Sequence, residues 1–416
     1  MSYIKELASK SKISASELLD TGSALRDKAL LCIADALDEH RGGIKYANKL
    51  DLEKAEENNM TSALIDRLTL TDARIDGMRD GVLDIVKMAD PAGFVKEGFV
   101  RPNGLQIQKV TVPIGVIGII FESRPNVTVD AAALCLKAGN AVILRGGKEA
   151  INSNRELSAL MRRAVKKAGL SADVISFVDD TSRETASAMM KLNDYIDLLV
   201  PRGGASLINA VVENATVPVI QTGVGNCHIY VHADADIDMA VSITENAKVS
   251  RPSVCNAAET VIVDQKISNT FLPILKTRLD KYPVELVGCP RTVEILGSDV
   301  KLAGEDDYYT EFLDLKLAVK VSDGYDDALA HIRKYSSGHS EAVITQNYNV
   351  ATAFTRQVDS SAVYVNASTR FTDGAEFGYG AEIGISTQKL HARGPMGLQD
   401  LTSVKYVIMG NGQIRN

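Results

Sequence analysis

Through the first 90 residues apolar positions recur three and four apart, as in KALLCIADAL at 28–37 and IDGMRDGVLDIVKM at 75–88. That spacing predicts amphipathic helices. Asn58 and Asn59 interrupt the block, and Pro91 with Gly93 ends it. At 98–112 the run GFVRPNGLQIQKVTV alternates apolar and polar residues around Pro102-Asn103-Gly104, which predicts a β-hairpin. From 113 onward short apolar runs alternate with helical patterns. Strands are predicted at 114–120, 141–145, 174–178, 196–200, 217–220, 228–232, 260–264, 315–321, 341–345 and 362–366, with helices between most of them, as at 127–138 and 324–334. Short apolar strands separated by helices imply parallel sheets covered on both faces, an α/β fold. The glycine-rich TGVGN at 222–226 joins two such series and marks a domain break.

Composition narrows the possible partners. A chain of 416 residues exceeds one ordinary core, so two or three domains are expected, and 45% hydrophobic with 24% charged residues is the balance of a soluble globular protein. No apolar run approaches the roughly 20 residues of a membrane helix. The N-terminal MSYIKELASKSK lacks an apolar signal core, so no membrane partner and a cytoplasmic location are expected. Net charge is −7 and the lysines and arginines are scattered, which argues against a nucleic-acid partner. Five cysteines without a CxxC pair suggest neither a disulfide framework nor a structural zinc site, and no metal is expected.

Two strands end alike. One passes into Arg145-Gly146-Gly147-Lys148, the other into Pro201-Arg202-Gly203-Gly204 with a helical pattern after it. Glycines after a strand let backbone N–H groups approach a ligand, and the following helix N-terminus favours an anion. In open α/β sheets this carboxyl edge binds ligands, and a cation beside each glycine pair suits a phosphate. Ordinary turns with solvated charges are the plainer alternative. There is no GxGxxG, and Lys148 is followed by Glu149 rather than Ser or Thr, so neither common nucleotide fingerprint is present.

Among the cysteines, Cys32 and Cys135 lie in apolar helical runs and are expected in the core. Cys227 opens a strand and Cys289 lies in a Gly-Cys-Pro turn, neither with chemical neighbours in sequence. Cys255, in KVSRPSVCN, stands in a polar turn fixed by Pro252, and nearby cations can lower a thiol pKa. The segment FESRPN at 121–126 follows the most apolar strand and offers Arg124 and the Asn126 amide to an oxyanion or phosphate. Asn126 could equally cap the helix that follows.

From about residue 110 to the C-terminus, the order of these segments resembles the aldehyde dehydrogenase superfamily. PIGVIGII is similar to that family's first cofactor strand, AVILRGGK to its strand ending in the ribose-binding Lys-Pro-x-Glu, and the run through Cys255 to its catalytic cysteine loop. QTGVGNCHIYVHADADIDMAV resembles its Glu-Leu-Gly-Gly segment, and Glu376-Phe377-Gly378-Tyr379-Gly380 its late glycine-rich loop. Glu311-Phe312-Leu313-Asp314 resembles the segment whose Glu holds a ribose hydroxyl. Three departures single out a branch. Gln221 or Thr222 stands where the family has its water-activating Glu, and FESRPN replaces Pro-Trp-Asn-Phe-Pro. Lys148 stands where NAD-preferring members have an acid, and a cation suits the 2′-phosphate of NADP. With VPRGG and SRPSVCN, these variants resemble the branch that reduces L-glutamyl 5-phosphate to L-glutamate 5-semialdehyde in proline biosynthesis.

The resemblance implies an aldehyde-dehydrogenase-like fold, two parallel-sheet α/β domains plus a small oligomerisation β element. Residues 1–97 and 113–222 would form the NADP-binding domain, 223–394 the catalytic domain, and 98–112 with 395–416 the oligomerisation hairpin and C-terminal strand. It implies Cys255 as nucleophile and Asn126 as oxyanion donor. NADP(H) would be held by Arg145, Gly146, Gly147, Lys148, Arg202, Gly203, Gly204 and Glu311, and the substrate by Arg124, Arg251 and Ser253. Phosphate would be the co-product, glutamate 5-kinase the functional link, and a homo-oligomer the assembly. The kinase domain fused to some relatives has no room in 416 residues. A CoA-acylating or non-phosphorylating member of the superfamily is the main alternative, and a non-enzymatic nucleotide-binding scaffold the remote one.

Overall fold

The computed structural model describes residues 2–415, without the side chains of Ser62 and Ala63. The backbone divides into two compact units that part between Thr222 and Gly223. The first contains the chain up to Thr222 together with 378–384 and the segment from Met396 onward; the second contains 223–377 and 385–395.

The first unit opens with five helices: α1 (Tyr3–Leu18), α2 (Ser23–Glu39), α3 (Arg41–Glu57), α4 (Ser62–Leu68) and α5 (Asp72–Lys87). The break after α3 is sharp because Asn59 takes a left-handed φ of 52°, which Asn tolerates better than most residues. A hairpin follows, β1 (Val95–Val100) and β2 (Gln106–Pro113), and β2 pairs on its other edge with the C-terminal β16 (Thr402–Met409). Between them come β3 (Val116–Phe121), α6 (Asn126–Lys137), β4 (Ala141–Arg145), α7 (Ile151–Ala168), β5 (Ile175–Phe177), α8 (Arg183–Met189), β6 (Leu198–Arg202) and α9 (Ala205–Asn214). Their strands form a parallel sheet in the order β5-β4-β3-β6. Every residue of β3 is buried, which is why VIGIIF carries no polar alternation. Lys137 of α6, 2% exposed at its side chain, reaches Asp27 of α2 at 2.6 Å and ties the helical block to the sheet layer.

The second unit holds β7 (Cys227–Val231), α10 (Ile237–Val249), β8 (Ala258–Asp264), α11 (Gln265–Leu279), β9 (Glu285–Gly288), α12 (Pro290–Leu296) and β10 (Lys301–Leu302). After these come α13 (Glu305–Tyr309), β11 (Lys316–Ser322), α14 (Tyr325–Tyr335), β12 (Ser340–Ile344), α15 (Tyr348–Gln357) and β13 (Ala362–Val365). The strands make one parallel sheet in the order β10-β9-β11-β8-β7-β12-β13. Its core is Ile229, Val231, Val261, Val263, Leu317 and Val319 with Phe271 and Leu275 of α11, all essentially without solvent access. β14 (Gly384–Ser386) and β15 (Gly394–Met396) form a separate two-stranded pair.

The fold is therefore α/β with parallel sheets, as the alternation of runs predicts. One predicted strand is reduced: 217–220 makes only a single parallel bridge, Leu199 to Val219. Pro218 lies inside it and lacks the N–H that a longer ladder would use. Strands β9, β10, β14 and β15 escaped the sequence pattern because two to four residues are too few to show a period.

Candidate active site

The carboxyl edge of the first sheet brings together three loops. Both glycine turns are there, but the anions nearest their backbones are the protein's own. Glu149 folds back over Gly147, where an added Cβ would lie 2.2 Å from its Oε1. The same Oε1 accepts from the Ser123 N–H at 2.7 Å and the Ser123 hydroxyl at 2.8 Å. Glu122 lies against Gly203 and accepts from the Gly204 N–H at 3.0 Å, at the start of α9. The start of α7 is taken by Asp51 of α3, which accepts from the N–H groups of Asn152 at 3.1 Å and Ser153 at 2.8 Å. Helix N-termini attract negative charge, and here protein carboxylates answer that demand. Gly146 is glycine for space, since a Cβ would meet Asn154 at 2.2 Å. Arg145 turns its guanidinium to the carbonyls of Thr181 (2.8 Å) and Ser182 (3.4 Å), bracing the loop before α8. Lys148 is exposed, on the single 3₁₀ turn that precedes α7. Arg202 packs against Gly384, whose added Cβ would sit 3.2 Å from its Nη1.

The third loop carries Arg124 and Asn126. Ser123 holds a left-handed φ of 43°, pinned there by Glu149. Asn126 is the first residue of α6 and makes no cap; its Nδ2 donates to Asp130 Oδ2 at 2.9 Å, one turn on. An ionised carboxylate only accepts, so Asp130 fixes which end of the amide faces it. Burial raises the Asp130 carboxyl to about 6, against the lowering effects of the Asn126 bond and the Arg202 charge.

In the second unit the amino edge of the sheet matters. Cys255, half-buried, lies on the loop between α10 and β8. Lys248 near the end of α10 and Glu259 near the start of β8 close the neck of this loop, Nζ to Oε2 at 2.6 Å, both side chains 0% exposed. Burial raises Glu259 to about 7 although Lys248 and the Leu313 N–H lower it, and burial lowers Lys248. Gly225 presses on the loop from β7: an added Cβ would lie 1.6 Å from the Cys255 carbonyl oxygen. The Cys227 thiol donates to that same oxygen at 3.1 Å. Glu311 accepts from the Gly225 N–H at 2.8 Å, and burial raises its pKa. Asn256 sends its amide to the carbonyls of Arg370 (3.2 Å) and Thr372 (2.8 Å). Arg251 is exposed and Ser253 half-buried on the same loop. Thr222, in the first unit, commits its hydroxyl to the Pro201 carbonyl at 2.8 Å and offers no base.

The other cysteines divide differently from their sequence expectation. Cys135 is fully buried, whereas Cys32 is only half-buried. Cys227 has neighbours after all, and burial, with Glu341 second, pushes its thiol well up. Cys289 accepts from Val321 N–H at 3.3 Å and lies 3.3 Å from the Thr292 hydroxyl; burial opposes ionisation, but these bonds outweigh it and lower the thiol. Among the described residues none of the five cysteines forms a disulfide, and no group of three potential ligands could hold a metal. No described helix is long and apolar enough to cross a membrane.

Sequence reasoning missed Lys248, Glu259, Asp130 and Arg370. A charged residue inside an apolar strand or helix, as Glu259 is in AETVIVD, was the available signal for the first two.

The family model for "Aldehyde dehydrogenase family" matches residues 5–292 of the chain. The chain is 57% identical over 406 residues to a γ-glutamyl phosphate reductase of Heliobacterium modesticaldum, covering 98% of this chain and 97% of that one. The crystal structure of γ-glutamyl phosphate reductase from Thermotoga maritima superposes with a TM-score of 0.97 at 48% identity, over 100% of both chains. An acetylating aldehyde dehydrogenase of Geobacillus thermoglucosidasius shares the fold at a TM-score of 0.69 and 18% identity, over 99% of this chain and 97% of that one.

Proposed function

The chain belongs to the aldehyde dehydrogenase family, among its γ-glutamyl phosphate reductases, and we propose that it reduces L-glutamyl 5-phosphate to L-glutamate 5-semialdehyde and phosphate through a thioester on Cys255. Full-length likeness to the Thermotoga enzyme at 48% identity carries this reading. The residues that replace the family's water-activating Glu support it chemically. Gln221 and Thr222 carry no carboxylate, and the Thr222 hydroxyl is already spent on a carbonyl. Phosphate is a far better leaving group than hydroxide, so this route requires no base to activate water.

The Cys255 thiolate adds to the acyl carbon, and the carbonyl oxygen becomes an oxyanion that the Asn126 amide stabilises. As the tetrahedral species collapses, the C–O bond to phosphate breaks and the thioester remains. A nicotinamide cofactor, when bound, would supply hydride to the thioester carbon on Cys255, and a proton taken up by the resulting alkoxide completes the thiohemiacetal. Breaking its C–S bond frees the aldehyde and restores Cys255. The cofactor's fit rests on the exposed Lys148 cation that follows Gly147, a glycine turn already covered on one side by Glu149. There a 2′-phosphate is favoured, which selects NADP(H). Arg202, Gly203 and Gly204 line the second turn, and Glu311 keeps one carboxylate oxygen beyond its bond to Gly225 for a ribose hydroxyl. Arg124, Arg251 and Ser253 serve the anionic substrate, which a kinase acting on glutamate would supply.

The sheet β1-β2-β16 exposes Phe99 (49%), Tyr406 (60%), Ile408 (57%) and Met409 (61%). An apolar surface on a small sheet with open edges suits pairing with a second copy, and a homo-oligomer follows. Sedimentation as a monomer at micromolar concentration would refute that part.

The decisive assay is reduction of NADP with glutamate semialdehyde as a function of added phosphate. Strict dependence on phosphate is expected, and Cys255→Ser should abolish turnover while NADPH still binds. Activity supported equally by coenzyme A or by water would point to another member of the family.

A further inference from the structure

We infer that Arg370 is a substrate-binding residue whose guanidinium holds an anionic oxygen group of the substrate beside Cys255. This rests on the proposed function, and it adds a contact that the sequence motifs leave out.

Arg370 stands 115 residues beyond Cys255, in the 3₁₀ turn Thr369–Phe371 after β13. It nevertheless spans the nucleophile loop from end to end. Its Nε donates to the Ser250 hydroxyl at 3.0 Å, and its Nη1 donates to the Asn256 side-chain oxygen. Ser250 and Asn256 bracket Arg251, Ser253 and Cys255. The backbone is held as well: Asn256 returns its amide to the Arg370 carbonyl, and Thr369 donates its hydroxyl to the Asn256 carbonyl at 2.7 Å. A guanidinium has five N–H groups, of which two are used here; the other three belong to the two terminal nitrogens that grip a carboxylate or phosphate in parallel. The fork is therefore oriented before any ligand arrives, which lowers the entropic cost of binding.

The charges around it favour an anion. Among the described residues, no carboxylate lies within ion-pair distance of Arg370. Burial disfavours its cation first and the Arg251 charge second, while Asp373, Cys255 and Glu376 favour it more weakly. A half-buried guanidinium beside a second arginine is an incomplete arrangement unless a negative group completes it. The substrate has two such groups, the phosphate and the α-carboxylate, and Arg370 fits either.

The plainer alternative is a brace that only holds the loop. Kinetics in the oxidative direction separate these roles, with phosphate and glutamate semialdehyde varied in turn on Arg370→Gln and Arg370→Lys. Loss of a charge-assisted pair should raise one KM by about 10- to 100-fold, with the KM for NADP unchanged and Lys recovering part of the loss. A rise confined to phosphate assigns the leaving group to Arg370; a rise confined to the semialdehyde assigns the carboxylate. If both KM values stay put and only kcat or thermal stability falls, Arg370 is a brace and the inference fails. A second readout needs no turnover: inorganic phosphate or glutamate should slow iodoacetamide alkylation of Cys255 in the wild type, and Arg370→Gln should lose that protection relative to its own unprotected rate. Protection intact in the variant overturns the inference. Wild-type protein that shows ligand protection but no phosphate-dependent turnover would overturn the proposed reaction and leave Arg370 as an anion site.

Discussion

Replacing Lys248 with methionine removes one half of a wholly buried ion pair and tests how the nucleophile loop is closed. Methionine nearly matches the lysine stem, so the change isolates the charge. Glu259 would be left 0% exposed, with the Leu313 N–H at 3.3 Å as its remaining partner. Breaking a buried pair from one side costs about 3–5 kcal/mol, because the surviving charge keeps its desolvation penalty. The second unit has the size of a domain that shifts by about 2–4 °C per kcal/mol, so its midpoint should fall by about 6–20 °C. Removing both charges, in Lys248→Met with Glu259→Met, should return most of that loss, since a well-packed apolar pair is often neutral or better. The part not returned is the Leu313 N–H, orphaned at about 1–3 kcal/mol. The assay is urea or thermal unfolding of both variants beside wild type at a pH above about 8, where wild-type Glu259, raised to about 7, is ionised, with Cys255 alkylation as a local probe of the loop. A loss under about 1 kcal/mol in the single variant, near the level of a solvated surface pair, would refute the reasoning. So would a double variant no better than the single one, because nothing would then mark the cost as an uncompensated charge.

The same residue gives a pH prediction. Glu259 is raised to about 7 from an unfolded value near 4.5, so the native state holds a proton that the unfolded state has lost across that window. Its contribution to stability therefore falls as pH rises from 4.5 to 7, and Glu259→Gln should remove that slope; an unchanged slope would exclude the titration. Gly225→Ala places a Cβ 1.6 Å from a backbone oxygen of Cys255, so the nucleophile must move by more than 1 Å, and kcat should fall about 100-fold or more even where the protein folds. Near-normal kcat in a folded Gly225→Ala protein would show that the loop does not depend on this contact. Asn126→Ala should lower kcat about 100-fold or more, and Asp130→Ala should cost less and add little on top of it; additive losses would mean that Asp130 does not act through the amide. Lys148→Glu should invert the preference between NADPH and NADH by KM, and an unchanged ratio would remove Lys148 from 2′-phosphate recognition.

Local pattern accounts for much of this molecule. Runs such as VIGIIF and AVILR are apolar throughout because both faces of a parallel sheet are covered, so the α/β class follows from the sequence. The hairpin at 95–113 is legible from its alternation around Pro102-Asn103-Gly104, and Cys255 stands out by the polar segment in which it lies. What local pattern cannot carry is which distant side chains share a buried site. Lys248 and Glu259 look like misplaced charges in apolar elements until a helix end and a strand start bring them to 2.6 Å. The glycine turns read as open cradles because Glu122 and Asp51, which occupy the neighbouring N–H groups, lie 82 and 101 residues from the nearest of them. Arg370 reaches the Cys255 loop across more than a hundred residues for the same reason. Periodicity records which face of an element is buried. Only tertiary packing decides which charges meet once water has been excluded, and the loop that holds Cys255 depends on that decision.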